Sequence, residues 1–184
     1  EWAATDDRSG VDFAPGAATL VERAWSDRRP GDLVVASLHW GGNWGYETTA
    51  GQVRYAHALV VGGFDVVHGH SSHHPRAVEV YRGKLILYGC GDCVDDYEGI
   101  PGYEFYRDDL RPLYFATLRR GTGHLARLDV TVMRAVRMRL EYASATDTGW
   151  LADVLTRAGR PFGTSFAAEG PRMVLRLHQE QPGP

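Results

Sequence analysis

The order of three short segments constrains this chain more than any other feature. Residues 32–40, DLVVASLHW, form a compact apolar run with the length and β-branched content of a buried strand. Residues 52–61 then place Val53, Ala56, Leu59 and Val60 at helical spacing and stop at Gly62 and Gly63, as helices commonly do. Residues 64–70, FDVVHGH, make a second short apolar run. Strand, helix and strand in that order predict a βαβ unit, whose crossover lays the two strands parallel and is nearly always right-handed. Both strands finish on histidine, so both histidines are expected on one edge of the sheet.

The remaining chain reads as mixed α/β. A short amphipathic helix is expected over residues 17–25, from Leu20, Val21, Ala24 and Trp25, and RRPGD stops it. AVEVYRG and KLILYGCG look like a hairpin turning at Arg82-Gly83. The acidic, aromatic stretch DDYEGIPGYEFYRDD reads as a loop. LRPLYFATLRR, the turn GTG and HLARLDVTVMRAVRMRLEYA predict an antiparallel pair or meander. A last helix is expected near residues 150–158, with Leu151, Val154, Leu155 and Ala158 on its core face and Asp147 or Thr148 as cap. PRMVLRLH closes the sheet and QEQPGP is a tail.

Composition excludes several classes. The chain has 184 residues, 43% apolar and 23% charged, enough for one full core and a single domain over 1–184. Its net charge of −3 argues against a nucleic-acid partner, which demands clustered basic residues. No apolar run approaches the roughly 18 residues of a membrane span, and the first ten residues show no signal-peptide pattern. Cys90 and Cys93, in CGDC, lack the second pair of a zinc knuckle and the following helix of a redox motif. They read as ordinary reduced thiols near a strand end.

The stretch HGHSSHHPR, residues 68–76, follows the second strand directly. Open α/β sheets place their sites beyond the carboxyl ends of parallel strands, which sets His39 beside His70, His73 and His74. Imidazoles serve zinc, iron and manganese well, and Gly41, Gly42 and Gly69 allow close backbone approach. Each of these rings could equally be a hydrogen-bonded structural residue. His68 is read as structural, and His57, His124 and His178 as isolated surface or core residues. Asp92, after the strand LILYG, could orient a group at the same rim, while Asn43 and Trp44 could line a substrate cleft or, for Trp44, cover the core.

LHWGGNWG, then a helix carrying Gln52, then GFDVVHGHSSHHPRAVEVYRGKLILYGCGD together resemble the CapA family of poly-gamma-glutamate capsule proteins. That family is described by an HWG segment, a helix introduced by Gln, and GADVVIGHHPH followed by EVYNGK and YSLGNF. The matching positions are His39, Trp40 and Gly41; Gln52; Gly69 and His70; Glu79, Val80, Tyr81, Gly83 and Lys84; and Tyr88, Gly89, Gly91 and Asp92. The match is strong over about residues 33–95. Asp92 stands where the family usually has Asn, and GHSSHHP replaces GHHPH.

The resemblance implies a partial calcineurin-like metallophosphoesterase sandwich of mixed β-sheets flanked by helices. It implies His39, His70 and His74 as ligands of divalent metal, with Mn, Fe or Zn suited to them, and His74 rather than His73 as the last ligand because it aligns when counted back from EVY. His70, His73 and His74 are the candidates for ligand or general acid, and Asn43, Trp44 and Asp92 for substrate contacts. The Asp-x-His, Gly-Asp and Asn-His motifs that precede HWG in that superfamily do not occur here, so a C-terminal portion of a CapA-like protein is expected. The implied substrate is a small molecule or an anionic polymer. A metal-dependent hydrolase is one reading; an accessory protein guiding poly-gamma-glutamate, with Arg76, Arg82, Arg107 and Arg111 available to line a groove, is the other.

Overall fold

The computed structural model describes residues 2–13 and 16–177. His178 and the QEQPGP tail lie outside them. The βαβ unit is present: β1 (Val35–His39) and β2 (Val66–His70) run parallel, joined through α2 (Ala50–Val61). α2 begins two residues earlier than its apolar pattern, because Thr49 and Gln52 form a capping box. Thr49 Oγ1 accepts from the Gln52 amide at 3.2 Å, and Gln52 Oε1 accepts from the Thr49 amide at 3.1 Å.

β3 (Val78–Tyr81) and β4 (Lys84–Leu87) form the expected hairpin. Arg82 and Gly83 both take positive φ, 49° and 78°, as a two-residue turn of primed type requires. The first sheet has the order β1-β2-β4-β3, with β2 and β4 also parallel.

The second sheet is antiparallel. Its strands β5 (Leu110–Leu118), β6 (Leu125–Val136) and β7 (Arg139–Tyr142) make the expected meander, and β9 (Arg172–Leu177) pairs with β6. β8 (Thr164–Glu169), not foreseen from its small and polar residues, completes the order β5-β6-β9-β8.

Helix α3 (Ala145–Gly159) starts earlier than expected, and its cap is Ser144 rather than Asp147 or Thr148. The Ser144 hydroxyl oxygen accepts from the Asp147 amide at 3.1 Å, which puts Asp147 inside the first turn. α1 (Ala17–Asp27) lies where the periodicity placed it.

The first sheet is covered on both faces along β2 and β4, while β1 is covered on its Ala36 and Leu38 face and leaves Val35, Ser37 and His39 exposed. Val66, Leu85 and Leu87 pack against Leu110, Leu128, Val130 and Val132 of the second sheet and against Leu151 and Leu155 of α3. Ala36, Leu38, Val67 and Ile86 pack against Ala56, Leu59 and Val60 of α2, with Leu20 and Val21 of α1 beyond. The result is an α/β arrangement of two sheets flanked by helices. Among the described residues no helix is long and apolar enough to cross a membrane.

Candidate functional site

Strand register brings the first two histidines together. His39 and His70 are cross-strand partners at the carboxyl ends of β1 and β2, and Trp40 extends the pairing by donating its amide to the His70 carbonyl at 3.0 Å. The two rings meet edge to face, with centroids 5.3 Å apart. His68, two residues back on the same face of β2, lies 5.6 Å from His70, and its Nδ1 is 3.1 Å from Ser37 Oγ. That pairing agrees with a structural His68.

Burial, with the neighbouring His68 and His39, lowers the His70 pKa, so the ring is neutral near pH 7 and offers a lone pair. Its Nδ1 is buried with no hydrogen-bond partner among the described residues. Gly69 has no room for a side chain, since a Cβ there would lie 2.3 Å from the Trp40 indole nitrogen and 2.8 Å from the Leu87 and Tyr88 carbonyl oxygens. The tight backbone approach expected at Gly69 is therefore real.

The chain turns sharply after His70. Ser71 takes φ 134°, a region that L residues rarely adopt, and its hydroxyl donates to the Gly41 carbonyl at 3.2 Å. This turn carries His73 and His74 into different surroundings. His74 is fully buried, stacked on Trp44 and Tyr106 with Tyr46 edge-on. Its Nδ1 is 3.0 Å from the Pro75 carbonyl oxygen, to which it donates, while Nε2 is buried without a partner among the described residues. Burial pushes its pKa down to about 4, against the raising effect of that hydrogen bond.

His73 turns towards Asp92. Its Nδ1 is 3.0 and 3.2 Å from the two Asp92 carboxylate oxygens, and its backbone amide donates to the Asn43 carbonyl at 3.1 Å. Trp44 stacks on Tyr103 with centroids 4.1 Å apart and leans on the His73 ring. The Asn43 side chain is exposed.

The structure thus joins His39 with His70, and His73 with Asp92. Among the described residues no three His, Cys, Asp or Glu side chains converge on one ion position, so His74 does not join His39 and His70 in a three-ligand set. His39 and His70 have the right donor chemistry for two ligands of the four that zinc usually takes. The other two are not supplied by described side chains.

Sequence reasoning missed the aromatic pile of Trp44, Tyr46, Tyr103 and Tyr106, whose only trace was an aromatic-rich loop. It also misjudged the arginines. Arg76 is buried, and its Nη2 donates to the carbonyls of Gly42 and Trp44 at 2.7 and 3.1 Å, clamping the loop after β1. Arg107 is bound by Asp109 and Asp147, and Arg111 by Asp92 and Asp95. Arg76, Arg107 and Arg111 are thus each committed to acceptors within the chain, and no open groove among the described residues is lined by the three together. The two cysteines are free thiols, and burial raises the pKa of Cys90 to about 12.

Residues 1–97 match the family of bacterial capsule synthesis proteins known as PGA_cap. A protein of Mycobacterium tuberculosis described as "probable polyglutamine synthesis accessory protein" is 51% identical over 171 residues, 88% of this chain and 44% of its own length. The chain belongs to the PGA_cap family. Other relatives are the PGA biosynthesis protein CapA of Bacillus subtilis, 32% identical over 56% of this chain and 25% of that protein, and the capsule biosynthesis protein CapA of Bacillus anthracis, 35% identical over 35% of this chain and 16% of that protein. The chain spans less than half the length of these PGA_cap relatives. The family match covers the whole first sheet, and with it both histidine pairs except Asp92's anchor on β5.

Proposed function

We propose that this chain carries part of the site of a metal-dependent hydrolase of the calcineurin-like metallophosphoesterase type, acting on a phosphoester or related bond during poly-gamma-glutamate capsule synthesis. The observation that carries the reading is the His39–His70 pair, set by strand register at the carboxyl end of a parallel sheet. His39 and His70 would hold a divalent ion, with Mn, Fe or Zn suited to imidazole. Such an ion supplies a water of lowered pKa and polarises a phosphoryl or acyl oxygen.

The residues around the pair supply room and orientation. A cleft of about 420 Å³ adjoins His39, walled by Phe13, Trp40 and Tyr55, and one of about 630 Å³ is lined by His68, His70 and Cys90. His73, with Asp92 on its Nδ1, is the candidate general acid for the leaving group once its Nε2 has also taken up a proton.

A second reading is a non-catalytic accessory protein that binds the anionic polymer. The mycobacterial relative's name, as an accessory protein, favours it. The engagement of these arginines within the chain counts against it: Arg107 and Arg111 are ion-paired with aspartates, and Arg76 is committed to backbone carbonyls.

The test is elemental analysis of the purified protein together with hydrolysis of a chromogenic phosphodiester, with and without chelator. The hydrolase reading expects bound metal, chelator-sensitive turnover, and loss of both in His39→Ala and His70→Ala. A metal-free, inactive protein that binds poly-gamma-glutamate, unaffected by either substitution, supports the accessory reading instead.

A further inference from the structure

A polar cluster beside the histidine loop ties the two sheets together. Arg111, on β5 of the second sheet, is 1% exposed, and its Nη1 reaches Asp92 Oδ2 at 3.2 Å and also Asp95. Asp92 accepts the Tyr97 hydroxyl at 3.2 Å, and both its oxygens face His73 Nδ1. Groups from three separate segments therefore fix this one carboxylate.

The chemistry of the carboxylate decides the state of the ring. An ionised carboxylate only accepts hydrogen bonds, so His73 Nδ1 must bring the hydrogen. A neutral His73 is then protonated at Nδ1 and bare at Nε2. An Asn in place of Asp92 would carry an NH2 donor as well as an oxygen, and could hold a ring in either form. An acid selects one form, and the buried Arg111 guanidinium holds it in place.

We propose that Arg111 and Asp92 are positioning residues for His73: Arg111 anchors Asp92, and Asp92 holds the ring in its Nδ1–H form with Nε2 as the working nitrogen. The backbone bond to Asn43 and the Trp44 ring fix the other degrees of freedom. Only the use of that nitrogen in catalysis rests on the hydrolase reading; the ring geometry does not.

The competing arrangement has the Tyr97 hydroxyl, 3.1 Å from Nδ1, donating to a bare Nδ1 with the proton on Nε2. Long-range proton–nitrogen correlation spectra of the 15N-labelled protein at about pH 8, where an ordinary imidazole is neutral, separate the two. His73→Asn identifies the His73 signals. The wild type is expected to show Nδ1–H and bare Nε2, and Tyr97→Phe to leave this unchanged. Asp92→Leu and Arg111→Met should shift the ring towards the Nε2–H form that free histidine prefers. Should Arg111→Met fail to fold, the Asp92→Leu/Arg111→Met double variant, which leaves no Asp92 carboxylate without its cation, carries the same expectation.

An Nε2–H signal in the wild type, or no change in the ring on losing Asp92, overturns the proposal. With a phosphodiester substrate, Arg111→Met is expected to lower kcat about 10- to 100-fold with KM little changed. Loss of the Nδ1–H form in the Asp92 and Arg111 variants of a protein whose wild type never turns over substrate leaves the positioning intact and removes the hydrolase reading.

Discussion

The Thr164 hydroxyl, on β8, donates to the Val78 carbonyl on β3 at 2.7 Å, and this buried bond joins the two sheets. Val78 opens the hairpin whose second strand continues into the Tyr88–Asp92 segment, so the bond helps hold the site sheet against its partner. Thr164→Val keeps the shape and removes the donor. Leaving a buried carbonyl unpaired should cost about 1–3 kcal/mol, read as a lowered urea midpoint with an unchanged m-value.

Asp65 is buried, pairs with Lys84, and accepts the Val34 amide at 2.9 Å. Arg28, at 3.9 Å, is a weaker second cation. Lys84→Met should therefore leave a largely uncompensated carboxylate and cost about 3 kcal/mol in the same measurement. An exposed pair, such as Arg23 with Asp12, should cost well under about 1 kcal/mol when broken.

Gly69 fixes His70 by having no side chain. Gly69→Ala would press a methyl into the Leu87 and Tyr88 carbonyls and the Trp40 indole. A destabilisation of about 1–3 kcal/mol is expected, with loss of the proton–proton contact between the His39 and His70 rings in NOE spectra.

Burial depresses the His74 pKa to about 4, while the unfolded chain titrates near the ordinary value of 6.5. Between those values the unfolded state binds the proton first, so stability falls as pH drops from about 6.5 towards 4 and levels off below. His68 and His70, also lowered by burial, act in the same direction. Denaturant melts at a series of pH values check this. His74→Phe, which keeps the stack on Trp44 and Tyr106, should flatten the slope in that window.

The histidine edge was legible because two signals agree there. Apolar runs of strand length flank a helical run, and strand pairing in that order leaves little freedom, so His39 and His70 had to meet. β8 escaped notice because Thr164, Ser165 and the alanines have weak periodicity and gain their burial from α3 and β9. His74 parted from His70 because of a single backbone angle at Ser71, which composition does not encode. The arginines misled because a sequence shows charge without showing its partner: Asp92 and Asp95 lie on a loop far from Arg111 in the chain. Asp92 was read as a hydrogen-bond partner or orienter at this rim; it meets His73, and its ion pair to Arg111 comes from the other sheet.

Titrating one divalent ion, Mn2+ or Zn2+, into the protein while following the His39 and His70 ring resonances tests the central claim most directly. The account predicts that both rings respond together, saturate at the same ion ratio, and that His39→Ala silences the response of His70 and the reverse. Rings that respond independently, or an ion that perturbs other histidines and leaves these two unchanged, would contradict it.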